Sequence, residues 1–214
     1  MKKSIIIFAK GPSVLKCTRE LVETHEDIAI CNYPVLNDFF YNLIKERKIN
    51  YHFANCSTFD KRYTDDINNK LKIEKIYNTN TGINHYKSFL KNNDIFSEKS
   101  LYEEIGTNYF QKKFNFKPST GIMMIKYLLD LKLYNKITLV GFDNWKIGEQ
   151  EYYYNTEEYN KDILYLIGRV YNKKGIRTKE SEHSSKKSRE YLKNLRNKYP
   201  DIEFKFVTND KELI

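Results

Sequence analysis

The sequence predicts an α/β fold, a mostly parallel Rossmann-like sheet with helices on both faces and an inserted lid at about 146–182. Three observations carry this expectation. The first 57 residues alternate strand, helix, strand, helix, strand, the pattern of parallel strands joined by crossovers. Helix-then-strand units recur at Lys117–Trp145 and at His183–Val207. Between them, Lys146–Glu182 is polar, aromatic and charged, with no core pattern beyond "ILYLIGRVY", which suits a flap over a sheet.

The elements follow in order. Lys3–Ala9 is short, β-branched and stopped by Gly11-Pro12, so it reads as a buried strand. Val14–Glu23 reads as a short helix after that turn. "DIAICNYP", Asp27–Pro34, is a second strand ending before a proline. Leu36–Arg47 has apolar residues at 36, 39, 40, 43 and 44, which is helical spacing. "NYHFANCS", Asn50–Ser57, is a third strand. The stretch from about 60 to 117 is rich in Asn, Lys and Tyr, with a weak strand near Ile73–Tyr77 and expected helices near 84–92 and 97–105. Pro118-Ser119-Thr120 marks a helix start, and apolar residues at 122, 124, 125, 128, 129 and 131 carry that helix to about Leu133. "KITLVGF", Lys136–Phe142, is the clearest strand. A basic amphipathic helix begins at His183 with Tyr191, Leu192 and Leu195 inward, and Ile202–Val207 is a last strand. With no internal repeat and no Pro- or Ser-rich linker, the 214 residues read as one domain with an inserted lid.

The chain is 40% hydrophobic, enough for a buried core, which excludes wholesale disorder. Its net charge of +9 attracts anions without choosing among nucleic acid, phosphorylated small molecules and an acidic membrane face. The abundance of Tyr, Lys, Asn and Ile matches the bias of an AT-rich genome, which discounts that charge as a signal. Cys17, Cys31 and Cys56 are scattered and odd in number, as expected of reduced cytosolic thiols. The start mimics a signal peptide, yet its apolar run is short and breaks at Gly11-Pro12. No stretch reaches the ~18 apolar residues that span a bilayer. A cytoplasmic protein is expected, with peripheral contact to the inner membrane as an added expectation.

In open parallel sheets, ligands sit beyond the carboxyl ends of strands. Gly11-Pro12-Ser13, Asn32, Asn55 and Asp143 all fall there. A glycine turn before a helix presents free N–H groups suited to phosphate. A plain turn explains Gly-Pro-Ser equally, and neither a P-loop nor Gly-x-Gly-x-x-Gly is present. Asn32 and Asn55 sit at matching ends of adjacent strands, although Asn is common in turns. Ser119-Thr120-Gly121 offers hydroxyls and backbone donors, and an ordinary N-cap accounts for it as well. Asp143 is a turn residue, a ribose ligand or a loop cap. No His, Cys or carboxylate grouping has metal-ligand spacing. His52 alternates within a strand and reads as structural. His183 stands where the polar lid meets a helix, so it is either a helix cap or a base able to take a proton from a hydroxyl.

"KSIIIFAKGPSV", "IAICNYP", "YHFANCSTF", "STGIMMIKYLLDLKLYNKITLVGFDNW" and "EHSS" followed by a helix, in this order, resemble the bacterial lipooligosaccharide sialyltransferases, and more loosely the animal sialyltransferases. The resemblance covers residues 1–57 and 117–207 in outline. It implies a GT-A-like sialyltransferase architecture and a CMP-linked sugar donor, usually CMP-sialic acid, with no cofactor. It places Gly11, Pro12 and Ser13 against the nucleotide and Asn32 and Asn55 on the donor. Ser119, Thr120 and Gly121 fall near the cytosine and sugar, Asp143 close to the ribose, and His183 in the place of the general base. Two positions depart from the family. Lys10 stands where Asn is usual, and an ammonium cannot accept hydrogen bonds. Trp145 stands where a Tyr donates to the donor phosphate; Tyr152, Tyr153 and Tyr154 lie close by, and one of them is expected to supply that contact.

The resemblance implies a metal-independent, inverting transfer of a sialic-acid-type sugar to a glycan or glycolipid hydroxyl, with His183 as base and the lid excluding water. The transition state is oxocarbenium-like, as in glycoside chemistry. The rival reading is a basic nucleic-acid-binding α/β protein, invited by "KKSREYLKNLRNK". A third keeps the fold without catalysis, as a nucleotide-sugar binder. Nucleic acid is not the expected partner.

Overall fold

The computed structural model describes residues 2–32, 37–54, 65, 68–79, 91–143, 153, 176 and 183–214. Among them, seven strands form one sheet in which every neighbouring pair is parallel. They are β1 (Lys3–Phe8), β2 (Asp27–Cys31), β4 (Tyr51–Ala54), β6 (Ile76–Asn78), β7 (Phe96–Ser100), β8 (Tyr134–Val140) and β9 (Glu203–Val207), in the order β7-β6-β4-β2-β1-β8-β9. β3 (Lys48–Ile49) and β5 (Lys72–Ile73) pair separately.

The central strands are buried on both faces, which is why they read as continuous apolar runs. Successive residues alternate between two cores. Ile6, Phe8, Ile28 and Ile30 join one cluster with Val22 of α1 (Arg19–Glu23) and Phe40, Leu43 and Ile44 of α2 (Asp38–Ile44). Ile5, Ile7, Ala29 and Cys31 join the other. That second face is covered by a π-helix (Tyr102–Gln111), by α3 (Thr120–Asp130), and by Leu192 and Leu195 of α4 (Ser185–Lys193) and α5 (Leu195–Lys198). Helices on both faces of a parallel sheet are what the alternating sequence pattern requires.

Several boundaries differ from the sequence expectation. The helix expected over Val14–Glu23 is broken in two. A 3-10 turn, Pro12–Lys16, ends at Cys17, and α1 starts afresh behind Thr18, whose side chain accepts the Leu21 N–H at 3.3 Å. The helix expected at 97–105 is replaced at its start by β7, because Phe96 pairs with Ile76 and is buried at the sheet edge. The π-helix follows only from Tyr102. α3 ends at Asp130, and Lys132, at φ 55°, turns the chain into β8. Residues 84–90 of the helix expected near 84–92 lie outside the described residues, as does the span 146–182 apart from Tyr153 and Ile176. Cys17 and Cys31 are free and buried, and burial pushes both thiols up to about 11. No helix among the described residues is long and apolar enough to cross a membrane.

Candidate active site at the carboxyl ends of the strands

The chain runs outward from β1 through β2, β4, β6 and β7, then returns to lay β8 on the opposite side of β1. This reversal is the switch point at which open parallel sheets hold ligands beyond their carboxyl ends. The turn after β1 and the turn after β8 meet there. Ala9 N–H donates to the Val140 carbonyl at 2.8 Å, and Gly11 N–H to the Gly141 carbonyl at 3.0 Å.

Asp143 ties the two turns together. Its Oδ2 accepts the Ser13 N–H at 2.8 Å, at the start of the 3-10 turn. Its Oδ1 accepts the Asn209 N–H at 2.6 Å and lies 3.0 Å from the Thr208 hydroxyl, just past β9. Ser13 is fully buried, and its hydroxyl donates to the Val207 carbonyl at 2.9 Å. So Ser13 and Asp143 spend these groups on the protein itself. Of the three roles open to Asp143, this geometry is that of the loop cap.

Gly11 owes its identity to the same knot. It sits at φ −68°, which any residue adopts, but a Cβ there would fall 2.4 Å from Asp143 Oδ2 and 2.5 Å from the Gly141 carbonyl. Gly141 is different, because its φ of 78° favours glycine. Tyr153 completes this corner. Its N–H donates to the Lys10 carbonyl at 3.0 Å, and its ring stacks in the core on Phe40 at 5.5 Å.

Across β1, Asn32 follows β2 in the left-handed conformation, φ 54°. Its N–H donates to the Phe53 carbonyl at 2.7 Å, and its carbonyl accepts from His52 Nε2 at 2.5 Å. His52 is fully buried, and burial depresses its imidazole to about 4, so it is neutral. Burial raises the Cys31 thiol, and the Lys10 ammonium acts against that push.

The start of α3 closes the far side. Ser119 is its N-cap and accepts the Ile122 N–H at 3.4 Å. The Thr120 hydroxyl lies 3.5 Å from that of Thr79, beyond β6. Gly121 faces the Phe142 ring, which a Cβ would meet at 3.0 Å. His183 stands beside this helix start. Its Nδ1 lies 3.2 Å from the Lys117 carbonyl. A carbonyl only accepts, so Nδ1 carries a proton in this contact. Ser184 then caps α4 by accepting the Lys187 N–H at 3.2 Å. α4 is held by Lys187 on the Asn115 carbonyl at 2.6 Å and by Arg189 on Asp210 at 2.6 Å.

The structure thus brings Gly11, Pro12, Ser13, Asp143 and Tyr153 together at the switch point. Gly121 at the start of α3 meets Phe142 of the β8 turn, His183 lies by Lys117 just before that helix, and Asn32 stands at the end of the neighbouring strand. Asn55, Trp145 and Tyr152 lie outside the described residues. His52, Thr208 and Asn209 were not expected as parts of the rim. Only the polar "VTND" run after the last strand hinted at the latter two. Among the described residues, no group of three or more His, Cys, Asp or Glu is placed to hold a metal.

No protein-family model matches the chain, and no curated protein sequence matches it. Solved structures do. The chain superposes on the sialyltransferase CstII from Campylobacter jejuni in complex with the substrate analogue cytidine-5'-monophosphate, with TM-score 0.61 and 21% identity over 98% of this chain and 82% of that one. The chain shares the fold of that structure. A single-residue variant of that sialyltransferase in complex with CMP gives TM-score 0.61 and 23% identity, over 97% and 81% of the two chains. Monomeric CstII gives 0.56 and 21%, over 96% and 81%. At such identity the likeness establishes the architecture.

Proposed function

We propose that this chain is a sialyltransferase-like glycosyltransferase. It moves a sialic-acid-type sugar from a CMP-linked donor to a hydroxyl of a glycan or glycolipid acceptor, in lipooligosaccharide assembly, with inversion and without a metal. The observation that carries the reading is His183, whose Nδ1–H is committed to the Lys117 carbonyl, standing beside the start of α3 on the rim of a fold shared with CMP-bound sialyltransferases.

In this reading His183 Nε2 takes the acceptor hydroxyl's proton as that oxygen attacks the donor's anomeric carbon. The bond from that carbon to the phosphate oxygen breaks, and its electron pair leaves on CMP from the opposite face. Asn32 and Asn55 hold the donor against the turn at Gly11-Pro12-Ser13, and Ser119, Thr120 and Gly121 line its base and sugar. Asp143 keeps the turn in place beside the ribose. The charge developing on the phosphate is met by the α3 N-terminus, Trp145 and the Tyr152 hydroxyl, since the Tyr153 ring is stacked in the core on Phe40. The span 146–182 excludes water as a lid.

The basic helix supports this reading over nucleic-acid binding. Lys187, Arg189, Lys193 and Lys198 spend their charges on the Asn115 carbonyl, Asp210, Glu212 and the Tyr109 hydroxyl. The test is a thermal-shift screen of CMP, CDP, UDP, GDP and NAD, followed by transfer assays. CMP should stabilise above the others. His183→Ala should lose roughly 10²–10⁴ in turnover while CMP binding survives, and EDTA should leave the rate unchanged. Equal stabilisation by all five nucleotides, or an unchanged rate in His183→Ala, removes the proposal.

A further inference from the structure

We infer that His52 is a positioning residue for donor binding, fixing Asn32 in the conformation it presents at the rim. The inference rests on the proposed function, since it takes Asn32 as a donor contact.

Asn32 is one of four non-glycine residues with positive φ among the described residues. Asn visits that region more readily than most side chains, but it still needs its surroundings to hold it there. The surroundings here are both on β4. The Phe53 carbonyl takes the Asn32 N–H, and the His52 ring donates from Nε2 to the Asn32 carbonyl. His52 pairs in register with Ile30, two residues earlier, so its side chain reaches forward along β2 to the point where the strand ends. The backbone kink at Asn32 sets the direction of its Cα–Cβ bond. Without the imidazole the carbonyl loses its donor, and the peptide is free to turn back toward extended geometry. The ring is fully buried, so it makes this contact away from solvent.

Three measurements test this. CMP affinity by calorimetry should weaken roughly tenfold in His52→Leu, which keeps apolar bulk and removes the donor. His52→Gln, whose amide N–H can replace Nε2–H, should recover most of that loss. In transfer assays with His52→Leu, the donor KM should rise while kcat changes little, a split that a general loss of stability does not produce. The wild-type protein supplies a measurement independent of any variant's folding: in imidazole NMR, the Nε2–H resonance of His52 should shift on saturation with CMP. Wild-type Kd and KM in a folded His52→Leu overturn the inference. So does a His52 resonance unmoved by bound CMP. If the wild-type protein fails to bind CMP, the proposed function falls and takes this inference with it.

Discussion

Acidification should destabilise this protein well above the range in which carboxylates titrate. His52 ordinarily would titrate near 6.5, but its burial in the fold holds it to about 4. At pH 5 the unfolded chain therefore binds a proton that the folded chain mostly refuses, and stability falls as pH falls. His52's contribution is fully present above pH 6.5 and is lost on the way down to about 4. Integrating between pH 8 and pH 5 gives a loss of about 2 kcal/mol from this residue, rising toward about 3 kcal/mol near pH 4. His25 acts in the same direction, because burial lowers it too, between the Leu21 carbonyl at 2.9 Å and the Thr138 hydroxyl at 2.8 Å. The lowered carboxyls of Glu20, Glu26, Glu74 and Glu212 act mainly below pH 4.5, so pH 5 separates the two groups. The assay is urea unfolding at pH 8 and pH 5, for wild type and His52→Gln. The variant should lose less on acidification by about 2 kcal/mol. Equal pH dependence in the two proteins, or a wild type no less stable at pH 5, refutes the reasoning.

The knot at the switch point gives two more predictions. Gly11→Ala should cost about 1–3 kcal/mol in urea unfolding, because the new methyl meets the Gly141 carbonyl, which is backbone and cannot step aside. Asp143→Ala should cost more, about 3 kcal/mol or above, since it removes the acceptor of the Ser13 and Asn209 N–H groups at a buried site; thermal melts of Asp143→Ala and Gly11→Ala side by side check the order.

Most of the sheet was legible because its strands bury both faces. Lys3–Ala9, Asp27–Pro34, Asn50–Ser57 and Lys136–Phe142 stand out as short apolar runs with abrupt ends, and α3 as a periodic stripe behind a Ser N-cap. β7 was not, since four of its five residues are Ser, Glu, Lys and Ser, and only Phe96 is shown to bury. An edge strand of that kind carries no period to read. Of the candidate site, the strand-end positions were legible and their hydrogen-bond partners were not. Asp143 stood open between turn, ribose ligand and cap, because its partners are Ser13, 130 residues away, and Thr208 and Asn209, 65 and 66 away. The same holds for His52, whose partner lies 20 residues back on the neighbouring strand. Pattern reading sees neighbours within a helix turn or a strand, and these contacts exist only after the sheet is assembled.

That assembly changes what the Gly-Pro-Ser turn is for. A phosphate cradle would keep its N–H groups toward the ligand. Here the Gly11 and Ser13 N–H groups are both taken, by the Gly141 carbonyl and the Asp143 carboxylate. The turn is a shelf clamped to β8 and β9, and in the proposed reading the donor rests against it rather than being held by these two amides. In that reading the holding falls to groups on the shelf's margins, namely Asn32 and the start of α3. In the proposed reading, a rim already braced from below has little left to reorganise when donor and acceptor meet, which is the condition under which a single imidazole can act as an effective base.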